Sequence, residues 1–275
     1  MFGLLQFSCL LASVLSADIL AVFPHTGKSH FDVFEPLVLA LAARGHQVTV
    51  LSFYPQETAV ANYTDISLVG VAPVFVNALK FEYLVGMNPL TDFMAITNMG
   101  MRSCEDILAS KAVKNLLKPS RKFDLLLVEM FNTDCFLGLV DIFDAPFIGI
   151  SSSSLFPTHY SRLGSFDNPA YFPNLFFPFG PRMSLIERTV NTVCTVVMRL
   201  VRIYYFSPHD QSVASETLKR DFSLQDIAHS VSLVLINSHH SLQGARPLVP
   251  GFVEVGGLHI RPVKRINLDL EKYLN

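Results

Sequence analysis

The chain has 275 residues, of which 50% are hydrophobic, so it can bury a large core, and this composition excludes a disordered protein. Its 21 basic and 23 acidic residues give a net charge of -2. Because neither sign dominates, the sequence has no broad basic field, which argues against nucleic acid as the main partner.

The first residues, MFGLLQFSCLLASVLSAD, form an apolar run of the length found in secretory signal peptides. Val14 and Ser16 fit the small-residue cleavage pattern, which predicts a signal peptide over residues 1–17. The run carries no Lys or Arg, and the alternative is a buried first strand. With a signal peptide, the protein is expected in the lumen of the endoplasmic reticulum or outside the cell. Asn62, in an Asn-Tyr-Thr sequon, then becomes a glycosylation site.

The cysteines limit the disulfide chemistry of the chain. Removal of the signal peptide takes Cys9 and leaves Cys104, Cys135 and Cys194. An odd number cannot form a complete disulfide framework, so at least one thiol is expected to stay free or to pair between chains.

The residues after the signal predict a β-α-β unit. DILAVFP is a short buried strand, HFDVFEPLVLALAARGH has apolar residues at helical spacing, and HQVTVLS is a second strand. Ser29 and Asp32 offer an N-terminal cap for the helix, and Gly45 suits its C-terminal end. This unit implies a parallel sheet with a right-handed crossover.

The same alternation continues along the chain. FDLLLVE, APFIGIS, SLVLINS and GFVEVGGL are short apolar strands, and CEDILASKAVKNLL and DCFLGLVDIF are helical. Residues 73–103 are expected to hold loops or short helices. MSLIERTVNTVCTVVMRLVRIYYF predicts a long helix, which Arg199 and Arg202 make a poor membrane span. The fold class is α/β, with a Rossmann-like, doubly wound parallel sheet over residues 18–262.

Several familiar motifs are incomplete. Gly27-Lys28-Ser29 ends a phosphate-binding P-loop, but the loop needs a glycine where the chain has Val22, and Pro24 removes a backbone donor. GISSSSL lacks the last glycine of a serine-hydrolase nucleophile elbow. The His239-His240 pair and His259 lack the spacing of a zinc site, so no metal site is predicted.

A histidine and a carboxylate form the candidate catalytic site. His30 lies in the loop after the first strand, where open α/β sheets bind ligands, and a neutral histidine near a helix N-terminus can act as a base. His25 competes for this role. Glu129 and Asp134 lie just past another strand, where a carboxylate could stabilise the protonated imidazole. Asp134 has the alternative role of a helix N-cap.

Three segments in order resemble the N-terminal half of animal UDP-glycosyltransferases, most closely the insect branch. They are ILAVFPHTGKSHFDVFEPLVLALAARGHQVTVLS, FDLLLVEMFNTDCFLGLVDIFDAPFIGISSS and LVLINSHHSLQGARPLVPGFVEVGGLHI. The resemblance implies the two-domain GT-B fold, in which this part is the acceptor-binding domain. By position, His30 matches the family's catalytic base and Asp134 its supporting acid.

The resemblance also implies a reaction and its substrates. The histidine deprotonates an acceptor hydroxyl, which attacks the anomeric carbon of a UDP-sugar with inversion. The expected activity is hexose transfer to a small lipophilic acceptor such as a steroid, phenolic or xenobiotic, with UDP-sugar as co-substrate and no cofactor. The Phe- and Met-rich residues 81–101 and 155–179 would line the acceptor pocket.

One part of the family pattern is not found in this sequence. The chain has no tryptophan and no Thr-His-Gly-Gly stretch, which are features of the family's UDP-sugar domain. Residues 263–275 are expected to begin the linker to that domain, so a truncated product without the C-terminal membrane anchor is predicted. The alternative function is a non-catalytic lumenal fragment that binds ligands or pairs with full-length enzymes and regulates them.

Overall fold

A seven-stranded parallel sheet forms the centre of the protein, seen here in a computed structural model that describes residues 16–74, 88–118, 121–165, 167–261 and 272–273. The strand order is β3-β2-β1-β4-β5-β6-β7. The strands are β1 (Asp18–Phe23), β2 (Gln47–Ser52), β3 (Tyr63–Ser67), β4 (Leu125–Glu129), β5 (Phe147–Ser151), β6 (Leu233–Ile236) and β7 (Phe252–Glu254). This is the doubly wound architecture predicted from the sequence.

Alternate residues of β1 enter the core on opposite faces of the sheet. Ile19, Ala21 and Phe23 pack with the first helix, whereas Leu20 and Val22 pack with the helices of the other face. All five are at most 2% exposed. Burial on both faces explains why the strand is a continuous apolar run.

Eight α-helices cover the sheet in the described residues. They are α1 (Lys28–Ala43), α2 (Pro89–Leu108), α3 (Lys111–Leu116), α4 (Gly138–Phe143), α5 (Leu185–Val201), α6 (Ser207–Leu218), α7 (Leu224–His229) and α8 (His240–Gln243). A π-helical segment over Arg202–Phe206 joins α5 to α6, so the helical run predicted near residue 183 continues to Leu218. None of these helices is long and apolar enough to cross a bilayer.

Two local predictions are wrong. Within residues 73–103, expected to be loops or short helices, the long helix α2 begins at Pro89, capped by the Asn88 side chain. Helix α1 begins at Lys28 without a side-chain cap, because its N-cap residue is Gly27, and Asp32 pairs with Lys28 at 2.5 Å.

The expectation for the cysteines is confirmed and refined. Cys104 of α2 and Cys135, which follows β4, form a disulfide, and Cys194 is free. Gly45 has a φ of 93° after the end of α1, as a helix-terminating glycine does. Residues 1–15 of the predicted signal peptide and nearly all of the predicted linker lie outside the described residues.

The sheet has its topological switch point between β1 and β4. From β1, the chain continues outward in one direction through β2 and β3, and in the other direction through β4 to β7. Ligands of open α/β sheets bind in the crevice beyond the carboxyl ends of the strands at such a point. The loop that leads into His30 and the last residue of β4, Glu129, both lie there.

Candidate active site

His30 forms a close pair with Glu129 at the switch point. Nδ1 of the imidazole lies 2.6 Å from Oε1 of Glu129, and Oγ of Ser152 lies 2.8 Å from the same nitrogen. An acceptor-only carboxylate at this distance places the hydrogen on Nδ1, which leaves the lone pair on Nε2. The His30 side chain is 15% exposed and that of Glu129 is 2% exposed. The imidazole is therefore held by a buried carboxylate, and its side chain is only partly exposed.

Two neighbouring rings hold the His30 imidazole in place. The His25 ring stacks on it with a centroid distance of 3.8 Å, and the Phe131 ring meets it edge-on at 4.3 Å. Nδ1 of His25 accepts the Gly27 N–H at 2.9 Å. Burial, and next the neighbouring His30, lower the pKa of His25 to about 4, so this ring stays neutral at physiological pH. The geometry favours His30 over His25 as the base.

Asp134 belongs to a different cluster of charges. Its Oδ1 binds Arg162, and its Oδ2 lies 3.0 Å from Nη2 of Arg202. The same Arg202 nitrogen lies 3.0 Å from Oδ2 of Asp210, which also accepts the Asp134 N–H at 3.0 Å. The predicted contact between His30 and Asp134 is therefore not formed, because both carboxylate oxygens of Asp134 are taken by arginines. The catalytic roles of these residues remain predictions.

In this second cluster, burial and the neighbouring charges determine which groups are ionised. Burial alone would raise the pKa of Asp134, but the guanidinium groups of Arg162 and Arg202 hold it well below its usual range. Burial, and next Arg162, keep the pKa of His159 well below its ordinary value. A cavity of about 730 Å³ lies beside the cluster and is lined by Asp134, Arg162 and Arg202 among others, but not by His30 or Glu129.

Aromatic rings lead from His30 into the Phe-rich segment. Phe131 lies 5.0 Å from Phe156, whose ring stacks on that of Phe176 at 5.4 Å. Phe93 of α2 meets Phe176 edge-on at 5.8 Å. Parts of both segments predicted to line an acceptor pocket thus come together next to His30. Residues 81–87 of that prediction lie outside the described residues.

Comparison with known proteins decides the family. The family model of UDP-glucuronosyl and UDP-glucosyl transferases matches residues 18–275. The chain belongs to this family. It is 30% identical to UDP-glucosyltransferase 2 of the insect Dactylopius coccus, covering 98% of this chain and 53% of that protein.

More distant glycosyltransferases are also similar to the chain. The human 2-hydroxyacylsphingosine 1-beta-galactosyltransferase is 25% identical over 94% of this chain and 48% of its own length. Among solved structures, the calicheamicin glycosyltransferase CalG4 is 16% identical, with a TM-score of 0.44 over 88% of this chain and 53% of that one. The chain spans about half the length of the curated relatives it matches.

The candidate site contains two contacts that were not predicted from the sequence. Glu129 was visible as the carboxylate that ends a strand, and the resemblance directed the choice to Asp134 instead. Ser152 lies in the serine run after β5, where several hydroxyls were available and none was distinguished. Since β4 and β5 neighbour each other and β1 neighbours β4, the ends of these three strands meet at His30.

Proposed function

We propose that the chain supplies the acceptor-binding half of a UDP-glycosyltransferase, with His30 as the general base and Glu129 as its charge partner. The hydrogen-bonded pair of His30 and Glu129 at the switch point carries this proposal. The reaction is transfer of a hexose from a UDP-sugar to the hydroxyl of a small lipophilic acceptor. The names of the matched relatives, which include glucosyl and galactosyl transferases, support a hexose donor.

The geometry of the pair supports the following chemical step. The acceptor hydroxyl gives its proton to Nε2 of His30 while its oxygen forms a bond to the anomeric carbon. The bond from that carbon to the diphosphate oxygen breaks, and UDP leaves with the electron pair. The imidazolium that results has its Nδ1–H on the carboxylate of Glu129, which offsets the new positive charge.

The aromatic rings beside His30 support a lipophilic acceptor. Phe131, Phe156 and Phe176 form a continuous apolar row that begins in contact with the base. Flat aromatic or sterol-like acceptors bury their apolar faces on such rings while their hydroxyl reaches a polar group. Steroids, phenolics and xenobiotics of this kind are the acceptors we propose.

An oxidising compartment suits this domain. Disulfides such as that between Cys104 and Cys135 form in the secretory pathway and are rare in the cytosol. Asn62 is an exposed residue with a positive φ, and its Nδ2, the atom that a glycan would modify, donates to the carbonyl oxygen of Ala42 at 3.2 Å. We therefore propose entry into the endoplasmic reticulum, with Asn62 as its glycosylation site.

A reconstituted enzyme tests the proposed function. The chain is produced alone and fused to the part of the Dactylopius UDP-glucosyltransferase 2 that it does not match, and each is given radiolabelled UDP-glucose and a phenolic acceptor. We expect a labelled phenol glucoside from the fusion and its loss in the His30→Asn fusion. Binding of the phenol to the chain alone is followed by calorimetry.

Two results would count against the proposal. If the His30→Asn fusion transfers glucose as fast as the parent fusion, His30 is not the base. If the chain binds no phenol and the fusion transfers no glucose, the alternative function as a non-catalytic fragment is favoured. The effect of the chain on the activity of a full-length family member is then measured.

A further inference from the structure

The cavity of about 730 Å³ beside Asp134 has a lining of its own, apart from the site around His30. Its walls come from the short 3₁₀ helix Tyr160–Leu163 and the loops on either side, from the end of α5 with the π-helical segment, from the start of α6 and from α7. Exposed residues of the lining, such as Gln225 and His229, open it to solvent. Small-molecule sites occupy about 300–1,000 Å³, so the cavity has the size of a ligand site.

A buried carboxylate oxygen on the wall of this cavity has no partner within the described part of the chain. Asp210 of α6 lines the cavity, and its side chain is 1% exposed. Its Oδ2 accepts the Asp134 N–H and a hydrogen bond from Nη2 of Arg202, both at 3.0 Å. Its Oδ1 accepts no hydrogen bond from the described residues. A buried acceptor without a donor costs free energy, which a hydroxyl of a bound ligand would recover.

Donors and hydroxyls lie on the same lining. The guanidinium of Arg162 has five N–H donors, and Asp134 is its one side-chain partner among the described residues. Thr158, Ser165 and Ser207 add hydroxyls, each of which can donate and accept. A ligand that fits this lining must therefore carry donors and acceptors close together, as neighbouring hydroxyl groups do.

The Asp and Arg charges of the lining balance, which selects against charged ligands. The lining carries the aspartates Asp134, Asp167 and Asp210 and the arginines Arg162, Arg199 and Arg202. Each of these side chains is held in an ion pair with another member of the set. An anion would lie against carboxylates and a cation against guanidinium groups, and either contact between like charges costs binding free energy. The lining therefore favours a neutral, polar ligand.

Apolar side chains complete the lining. Leu224 and Ala228 of α7 and Ile203 of the π-helical segment contribute carbon surface. A sugar ring matches such a mixed surface, because its hydroxyls form hydrogen bonds while its C–H groups pack on apolar side chains. We propose that this cavity is a binding site for a neutral sugar ring, either a free hexose or the hexose of a glycoside, outside the catalytic site.

Saturation-transfer NMR with methyl β-glucoside tests this proposal on the whole chain. A blocking variant, Ser207→Phe, places a phenyl ring at the cavity wall. Its control is Ser212→Phe, at an exposed position of the same helix that does not line the cavity. We expect the parent and the control to bind alike and Ser207→Phe to bind about tenfold or more weakly. Ser165→Ala, which keeps the volume and removes one hydroxyl, should weaken binding about two- to tenfold.

Three results would overturn the proposal. The first is no saturation transfer to methyl β-glucoside in the parent chain, and the second is equal binding by the parent and a folded Ser207→Phe protein, with folding established by the melting temperature. The third concerns charge, because glucuronate and glucosamine have the same ring with a negative and a positive group. Tighter binding of either one than of methyl β-glucoside would contradict a neutral ligand.

A tryptophan reporter locates the bound sugar. The chain has no tryptophan, so Ile203→Trp places a single fluorophore at the cavity. We expect its emission to change on adding the sugar, with no change in a Leu242→Trp protein, whose site is 88% exposed and outside the cavity. Phenyl β-glucoside is the second probe: tighter binding than methyl β-glucoside indicates a glycoside as the occupant, and equal binding a free hexose. Loss of sugar binding in His30→Asn, with binding kept in Ser207→Phe, would assign the sugar to the catalytic site and overturn the proposal.

Discussion

Glu129 ends strand β4 and Asp134 lies five residues later, yet the two carboxylates have different kinds of partner. Glu129 is paired with a histidine, whose charge can appear and disappear. Asp134 is paired with two arginines, whose charges are permanent. A carboxylate beside histidine can respond to a proton that arrives, whereas one held by two guanidinium groups keeps a fixed negative charge. The two carboxylates therefore differ in their partners, although their residue types are nearly the same.

The largest effect is expected at the base of the pair. His30→Asn removes the proton acceptor, so transfer by the fusion described above should fall about 100- to 10,000-fold. Some loss of stability is expected as well, because the substitution removes the hydrogen-bond partner of Glu129, whose side chain is only 2% exposed, so the melting temperature is measured beside the rate. A variant that retains more than a tenth of the rate, which is a smaller loss than general-base removal gives, would place the base elsewhere.

The next largest effect is expected on stability, at the arginine-bound carboxylate. Asp134→Asn leaves Arg162 and Arg202 with too little negative charge, and the free energy of unfolding should fall by about 3–5 kcal/mol. Denaturant unfolding measures this change. The control is Asp141→Asn, which breaks the ion pair with the largely exposed Arg220 and should cost about 1 kcal/mol or less. Equal losses would contradict the contrast between the two clusters.

Glu129→Gln separates charge from shape in the histidine pair. The Gln oxygen can still accept the Nδ1–H of His30, so the tautomer is kept while the negative charge is lost. Transfer should slow about 100-fold in kcat, the range found when one group that stabilises developing charge is removed. The KM for the acceptor should be unaltered. A loss of stability as large as that of Asp134→Asn would show that Glu129 is a structural residue as well.

The smallest effect concerns the ring stacked on the base. The pKa of His25 is lowered from 6.5 to about 4 in the folded state, so the unfolded state binds a proton first as the pH falls. Stability should therefore decrease between pH 6.5 and about 4. His25→Asn should weaken this decrease by about 1–2 kcal/mol at pH 5. His229→Asn, at an exposed position, serves as the control, and an unchanged pH profile in His25→Asn would contradict the assignment.

The sequence predicts most of this sheet because its buried strands are apolar runs. Strand β3 was not predicted because YTDIS is polar, and as an edge strand it is only partly buried. The first part of helix α2 was not predicted because it follows a stretch, 73–88, that has no clear period, whereas its end, from Cys104, lies in the predicted helical segment CEDILASKAVKNLL. Its cap, Asn88 followed by Pro89, was the available signal.

The site could be located from the sequence, but its pairs could not. Order along the chain places His30, Glu129 and Asp134 at one edge of the sheet, since all three lie in loops or ends at the carboxyl side of parallel strands. Which carboxylate turns toward the histidine depends on Arg162 and Arg202, which come from distant segments and occupy Asp134. Contacts of such separation leave no local pattern in the sequence.

The disulfide between Cys104 and Cys135 bears on how all these variants should be made. It ties α2 to the segment that begins one residue after Asp134, and both sulfurs are buried. In protein produced in a reducing cytosol this disulfide would be reduced, and the variants would be compared in that state. A low melting temperature or a lost activity would then reflect the growth conditions as much as the substitution. Production in an oxidising compartment, with thiol titration expected to find Cys194 but neither bridged cysteine, is the starting condition for every comparison.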